Sequence, residues 1–382
     1  MILAYYEDNP YQYEVIGEKL VASGLTLSRD NAGEILFVEK LLPGENALVA
    51  ETYRKGKTRF ARIEKLITKS ELRVQEPCEY VARGCGGCDW QHIDPNAQLD
   101  FKREIIIDAL VRIAKVGTIE QVEDIVLNTS QQIRTNYRTS ARIFTRGENW
   151  GFKKSHSNDT VFVEKCIVLN PETEQLARDA AVAYAQESGE HEISIRRSPD
   201  LFMGDPIRVS PKSFYQSHID APQVLTEYIL ELIKPLGSSL NCVDLYSGVG
   251  IFAIALAKQG HKVIAIEGNP IAVKDAKINC KNLDVEVVNK DVSKYRYQAE
   301  LSPCDLVIAD PSREGITKLS IDGVLSTKAK SIILISCDPA AGARDILLLR
   351  NAGYILESAK PFDLFGNTHH VETVSYMTMD NG

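Results

Sequence analysis

No apolar run in the 382-residue chain approaches the roughly 18 residues needed to span a bilayer. Its first residues, Met1-Ile2-Leu3-Ala4-Tyr5-Tyr6-Glu7, have neither the basic segment nor the long apolar core of a secretory signal. The expectation is a cytoplasmic protein with no membrane partner. An excess of positive charge is missing too, since 44 Lys and Arg face 52 Asp and Glu for a net charge of −8. That balance excludes a surface coated in nucleic-acid-binding charge but leaves room for local patches. With 44% hydrophobic and 25% charged residues, the composition is that of an ordinary globular protein. In a reducing compartment the eight cysteines point to metal binding or catalysis before disulfides. The length is more than one hydrophobic core usually serves, so two or three domains are expected.

Residues 11 to about 68 alternate short apolar segments, such as Glu34-Ile35-Leu36-Phe37-Val38, with turn signals at Asp30–Gly33 and Pro43–Asn46. This pattern predicts a small β-barrel of the OB type. The run Arg54–Arg62, with Tyr53 and Phe60 interleaved, suits phosphate contacts and base stacking, a solvated face being the plain alternative. A second basic run holds Arg134, Arg138, Arg142, Arg146, Lys153 and Lys154. Between the two lie Cys78, Cys85 and Cys88, then a predicted helix from about Asn96 to Lys115. Three thiols so close, two of them in Cys85-Gly86-Gly87-Cys88, form a strong metal-site signal. Glycine lets the backbone fold tightly enough for both sulfurs to face one centre. The fourth ligand has to come from farther along, and Cys166 is the best candidate. Zinc and an iron–sulfur cluster both accept four thiolates, so ligand identity does not choose between them. Residues 132–170 and 190–210 alternate Thr, Ile, Val, Phe and Arg and predict an antiparallel sheet that returns Cys166 to the other cysteines.

After a predicted helix from Ala221 to Lys234 the rhythm changes to strand–helix alternation. Strands are expected near Cys242–Tyr246, Lys262–Glu267, Val285–Asn289, Leu306–Asp310 and Ser331–Ser336, which implies a parallel sheet covered on both faces. Ligands of such sheets sit outside the carboxyl ends of the strands. Asp244-Leu245-Tyr246-Ser247-Gly248-Val249-Gly250 makes a Gly-x-Gly turn there, and Glu267 ends the next strand where ribose hydroxyls would be held. The turn has no third glycine, and Asp244 would repel a phosphate but accept from an amino group, so S-adenosylmethionine fits better than a dinucleotide. Asp310-Pro311-Ser312-Arg313-Glu314-Gly315 is a stiffened strand-end turn beside that cofactor. Ser331–Ser336 stops on Cys337-Asp338-Pro339, which presents a thiol at the sheet's ligand edge as a candidate nucleophile. Near the end, Glu372 is a candidate general base and His370 a candidate for orienting it.

Together these motifs resemble the RNA uracil-5-methyltransferase family, in the branch with an N-terminal TRAM domain and a [4Fe-4S] cluster. The resemblance covers nearly the whole chain and is carried by Ser210-Pro211-Lys212-Ser213-Phe214-Tyr215-Gln216, Asp244–Gly250, Asp310–Gly315, Ser336-Cys337-Asp338-Pro339 and His370-Val371-Glu372, in the family's order. It implies an α/β protein with a TRAM or OB-like RNA-binding barrel over 1–68, a central α+β iron–sulfur and RNA-binding domain over 69–220, and a class I, Rossmann-like methyltransferase domain over 221–382. It further implies that Gln216, Tyr246, Glu267 and Asp310 contact S-adenosylmethionine, with Asp291 nearby. Cys337 would be the nucleophile, Glu372 would remove a proton, and Cys78, Cys85, Cys88 and Cys166 would hold the cluster. Three positions depart from the family pattern: Ser312 replaces a proline, His218 an asparagine, and the first cysteine gap is six residues instead of five.

The implied reaction is methylation of carbon 5 of a uridine in RNA by a monomer, with ribosomal RNA favoured over transfer RNA. The alternatives are a non-catalytic RNA-binding or RNA-folding protein on the same fold, or an enzyme for another base such as cytosine. For covalent catalysis the site should favour the Cys337 anion, and Arg313 is one candidate cation for that pull.

Overall fold

A computed structural model describes residues 4–5, 11–198, 201–292, 304–316 and 318–380. Most of the stretch scanned for a secretory signal therefore lies outside the described residues. The N-terminal part is a closed five-stranded barrel of Gln12–Leu20, Thr26–Arg29, Ile35–Glu39, Asn46–Lys55 and Thr58–Thr68. Alternation of buried and exposed side chains along these strands places Val15, Leu36, Val38, Val49 and Ala61 in its core. Closure comes from Ile35–Glu39 pairing in parallel with Thr58–Thr68, while Asn46–Lys55 pairs on both its edges. Strong curvature brings Gly17 so close to the chain opposite that a Cβ there would sit 2.3 Å from the Leu42 carbonyl oxygen.

The central part carries the helix Pro95–Arg112, capped by Asp94, and an antiparallel sheet in the order His191–Arg196, Ser140–Arg146, Asn149–Lys153, Thr160–Val163. The helix Pro171–Tyr184 falls between the two predicted sheet segments. Asn170 caps it and Pro171 opens it.

The C-terminal part is a seven-stranded sheet in the order Val285–Asn289, Lys262–Glu267, Asn241–Leu245, Leu306–Ala309, Ser331–Ser336, Glu372–Met379, Tyr354–Phe362. The first five strands are parallel, Glu372–Met379 runs against them, Tyr354–Phe362 beyond it points the same way as the first five, and separate apolar cores cover the two faces. Five strands therefore lie where the sequence predicts them, to within a residue at each end. The edge strand Tyr354–Phe362 is an addition, since its Glu357, Lys360 and Pro361 disguise the pattern. Among the described residues no helix is long and apolar enough to cross a membrane.

Candidate active site

The parallel strands all end at one edge of the sheet. Leu245 pairs with Ile266 and Ala309, and Ala309 with Leu334, so Tyr246, Glu267, Asp310 and Cys337 emerge side by side. The antiparallel strand Glu372–Met379 begins at the same edge, where Ser336 pairs with Thr373. Continuing that register puts Cys337 opposite Glu372. The strand stops at Cys337 because Asp338 caps the next helix, accepting from the Ala341 amide at 2.7 Å, with Pro339 as its first residue.

On the cofactor side, the Glu267 carboxylate accepts from the Gly248 amide at 2.9 Å and the Asn269 amide at 2.6 Å. Asp244 is fully buried. One of its oxygens accepts from Ala253 at 3.1 Å, while the other, like the Ser247 hydroxyl, has no partner. Burial and the nearby Asp310 and Glu267 push its pKa well above the ordinary range. A turn with orphaned polar atoms, flanked by crowded carboxylates, suits a ligand that brings amino and sulfonium charge and would reject a phosphate.

Gln216 reaches the same edge from a loop that precedes the domain, its amide donating to Asp310 at 3.5 Å. Asp275 anchors that loop by accepting from the Ser210 amide (2.7 Å), both serine hydroxyls of Ser210 and Ser213 (2.8 and 2.7 Å) and Arg208 (3.1 Å). Asp345 does the same for the turn after Asp310, accepting from the Ile316 amide at 2.8 Å. Asp275 and Asp345 gave no sequence signal, because each lies mid-helix among ordinary helical residues. Asp291 is exposed at the same edge, just past the strand Val285–Asn289, with its backbone against Gly268.

The electrostatics differ from the expectation for the thiol. Burial, then Glu372 and Asp310, raise the Cys337 pKa to about 11, and the pull of Arg313 does not offset them. Burial also raises Asp310 to about 7 and Glu372 well above the carboxylate range, the two carboxyls opposing each other's charge. The resting site therefore favours the thiol. His370 is not in position to orient Glu372. Its ring packs edge-on to Phe365 and beside His369, makes no hydrogen bond to Glu372, and stays neutral because burial holds its pKa near 3. One Glu372 oxygen has no partner at all.

Cys78, Cys85, Cys88 and Cys166 line one cavity of about 840 Å³ that extends from Tyr53 and Phe60 of the barrel to Arg313 and His370. Among the described residues no group of three or more His, Cys, Asp and Glu side chains is arranged to hold a metal ion. The donor set itself is uniform. All four groups are thiols, and backbone amides of Gly87, Val168 and Leu169 are directed at the sulfurs of Cys85 and Cys166. Burial raises Cys85, Cys88 and Cys166, with Cys88 reaching about 12. Amides aimed at buried sulfurs fit thiolate ligands neutralised by a metal centre better than they fit free thiols.

Most cations of the basic runs pair with acidic side chains. Arg54 and Arg59 both bind Glu51, Arg59 also binds Asp30, and Arg62 pairs with Glu64. Tyr53 and Phe60 stack on each other, centroids 4.3 Å apart. In the second run Arg134 pairs with Asp363, Arg142 with Glu192, Arg146 and Lys153 with Glu190, and Lys154 with Asp159. The sequence alone shows the cations and not their partners.

Comparison with known proteins adds a second line of observation. The family profile described as tRNA (Uracil-5-)-methyltransferase matches residues 207–379. The match spans the seven-stranded sheet and the loop that carries Gln216. The chain is 29% identical to an uncharacterized RNA methyltransferase of Streptomyces avermitilis, over 96% of this chain and 98% of that one. It is 27% identical to the 23S rRNA (uracil(1939)-C(5))-methyltransferase RlmD of Shewanella halifaxensis, over 91% and 92%. The solved structure of the Pyrococcus abyssi tRNA (uracil-54, C5)-methyltransferase with S-adenosyl-L-homocysteine shares the fold, with a TM-score of 0.70 at 21% identity and coverage of 96% and 100%. The likeness is to RNA methyltransferases throughout, in the profile over 207–379 and in relatives aligned over more than nine-tenths of the chain.

Proposed function

We propose that the protein methylates carbon 5 of a uridine in structured RNA through a covalent adduct with Cys337. The observation that carries this is the meeting of Cys337, Asp310 and Glu372 at the carboxyl edge of one sheet, beside the Asp244–Gly250 turn. Carbon 5 of uracil is a poor nucleophile. When the Cys337 sulfur bonds carbon 6, the ring electrons move to the carbonyl oxygen, and the enolate so formed is nucleophilic at carbon 5. S-adenosylmethionine, when bound, supplies the electrophilic methyl group. Glu372 then takes the carbon 5 proton, the ring double bond re-forms, and the carbon 6–sulfur bond breaks to release Cys337. A buried carboxyl with an unpartnered oxygen at this position has a lone pair free to accept that proton.

Gln216, Tyr246, Glu267 and Asp310 would hold the methyl donor, with Asp244 taking its amino group. The base must leave its stack to enter, which favours RNA loops. Likeness to RlmD favours 23S ribosomal RNA, and likeness to the tRNA enzyme keeps transfer RNA as the second substrate to test. Cys78, Cys85, Cys88 and Cys166 would hold a [4Fe-4S] cluster in the central domain, 69–220, between a TRAM-like barrel over 1–68 and the methyltransferase domain over 221–382. A brown anaerobic preparation is expected, and a colourless, zinc-loaded one would overturn the cluster.

With tritiated methyl donor and RNA from cells lacking this protein, Cys337→Ala should abolish transfer while S-adenosylmethionine binding survives. Glu372→Gln should trap a tritiated protein–RNA adduct on denaturing gels. Normal turnover in the first variant would refute the nucleophile, and persistent activity without adduct in the second would refute the base. Mapping 5-methyluridine in the same RNA identifies the target.

A further inference from the structure

The loop that carries the cysteine pair is fastened to the loop that delivers Glu372. Asp89, next to Cys88, accepts from the His369 amide at 3.1 Å through one oxygen and bonds the His369 ring Nδ1 through the other. Trp90 donates its backbone N–H to the Asn367 carbonyl at 3.0 Å. The same Trp90 sends its indole N–H to the Gly24 carbonyl of the barrel at 3.1 Å, and Gly24 lies so close to the His369 ring that a Cβ would be 2.8 Å from it. Gln98 braces both sides, accepting from the Asn367 amide at 3.2 Å and donating to the Trp90 carbonyl at 3.1 Å. Within the loop Thr368 donates its amide and its hydroxyl to the Phe365 carbonyl at 3.1 and 2.8 Å, so the bonds from Asp89, Trp90 and Gln98 fix how this turn sits against the cysteine loop. Asn367 sits in a left-handed conformation, φ 67°, which asparagine adopts more readily than most residues and which turns the chain there. Only His370 and the fully buried Val371 separate His369 from Glu372, so slack at His369 passes directly to the carboxyl.

We infer that Asp89 and His369 form a positioning clasp, through which the cysteine loop sets the aim of Glu372 for removal of the carbon 5 proton. Neither residue touches the reacting atoms. The inference rests on Glu372 being the base. It makes one step of the reaction depend on the central domain and leaves the others independent: addition of Cys337 and methyl transfer use groups at the ends of the Leu306–Ala309 and Ser331–Ser336 strands, which the clasp does not touch. A loosened clasp should therefore let the adduct form and be methylated, then slow its resolution.

The test uses the full-length protein, RNA from cells lacking it, and tritiated methyl donor. In Asp89→Asn, which keeps the shape and loses the charge on the ring contact, and in His369→Ala, kcat should fall about 10- to 100-fold, since misplacement by an ångström costs rates of that order. KM for RNA and the affinity for S-adenosylmethionine should be unchanged, and a tritiated protein–RNA adduct should accumulate during turnover. The double variant should be no worse than either single one, as for two members of a single contact. Asp89→Glu, which retains the carboxylate, should recover part of the rate. A Glu372→Gln lane on the same gel separates the two ideas. Adduct in that lane and none in the Asp89→Asn and His369→Ala lanes overturns the clasp alone, and adduct in none of them overturns both the clasp and the base. Wild-type turnover in Asp89→Asn and His369→Ala also overturns it, as does a loss confined to KM.

Discussion

In the proposed reaction Cys337 has to attack as a thiolate, yet its surroundings hold it as a thiol. Burial dominates, Glu372 and Asp310 add to it, and the Arg313 guanidinium, exposed at the loop tip, pulls too weakly to reverse them. With the pKa at about 11, the reactive fraction at neutral pH is small and grows about tenfold with each pH unit. In the free protein, alkylation of Cys337 by iodoacetamide should therefore keep accelerating about tenfold per unit from pH 7 to pH 10. A plateau near the ordinary thiol value of about 8.5 would show that the anion is favoured after all. A thiol held protonated also resists oxidation, which follows thiolate character. The position of this residue was legible in the sequence, since an apolar strand that stops at Cys-Asp-Pro leaves a thiol on the ligand edge. Its electrostatics were not, because Glu372 lies 35 positions away and only the Ser336–Thr373 register brings the two together.

At the level of elements, the sheet of the C-terminal domain was legible because buried parallel strands read as unbroken apolar runs punctuated by turns. The loop that carries Gln216 shows the limit of that reading. Its motif, Ser210–Gln216, is visible, but what holds it against the domain is Asp275, in the helix Pro270–Asn279, more than sixty residues on. Four donors converge on this one buried carboxylate. Burial alone would raise its pKa, and the Ser213, Ser210 and Arg208 bonds bring it below the usual range. Replacing it with alanine strands buried serine donors, each costing about 1–3 kcal/mol when left unmade. Asp275→Ala should thus free the loop and lower the affinity for S-adenosylmethionine by at least about tenfold, the equivalent of about 1.4 kcal/mol. Titration calorimetry checks it. An affinity equal to that of the parent would mean that the loop holds Gln216 over Asp310 without this anchor.

Across the whole molecule, the parts are joined by charge buried where they meet. Lys102, from the central helix Pro95–Arg112, and Asp363, from the end of the strand Tyr354–Phe362, are both fully buried and bonded to each other. Arg134 approaches the other Asp363 oxygen at 2.8 Å. The partners are 261 residues apart for the lysine, so no local pattern announces them, and Lys102 reads in sequence as an ordinary exposed helix residue. One carboxylate therefore compensates two cations. Removing the two partners should have unequal effects. Asp363→Ala leaves a buried ammonium and a nearly buried guanidinium without counter-charge and should cost about 3–5 kcal/mol. Lys102→Met keeps the Arg134–Asp363 pair and replaces the lysine with an apolar chain of similar volume. Such replacements are often neutral, so its cost should stay below about 1.5 kcal/mol. Calorimetric melting of the two variants tests the order. In Asp363→Ala the transition should fall and broaden as the central and C-terminal parts lose their joint, while Lys102→Met should melt near the parent as one transition. Equal destabilisation by the two would mean that the lysine, and not the shared carboxylate, is what joins them.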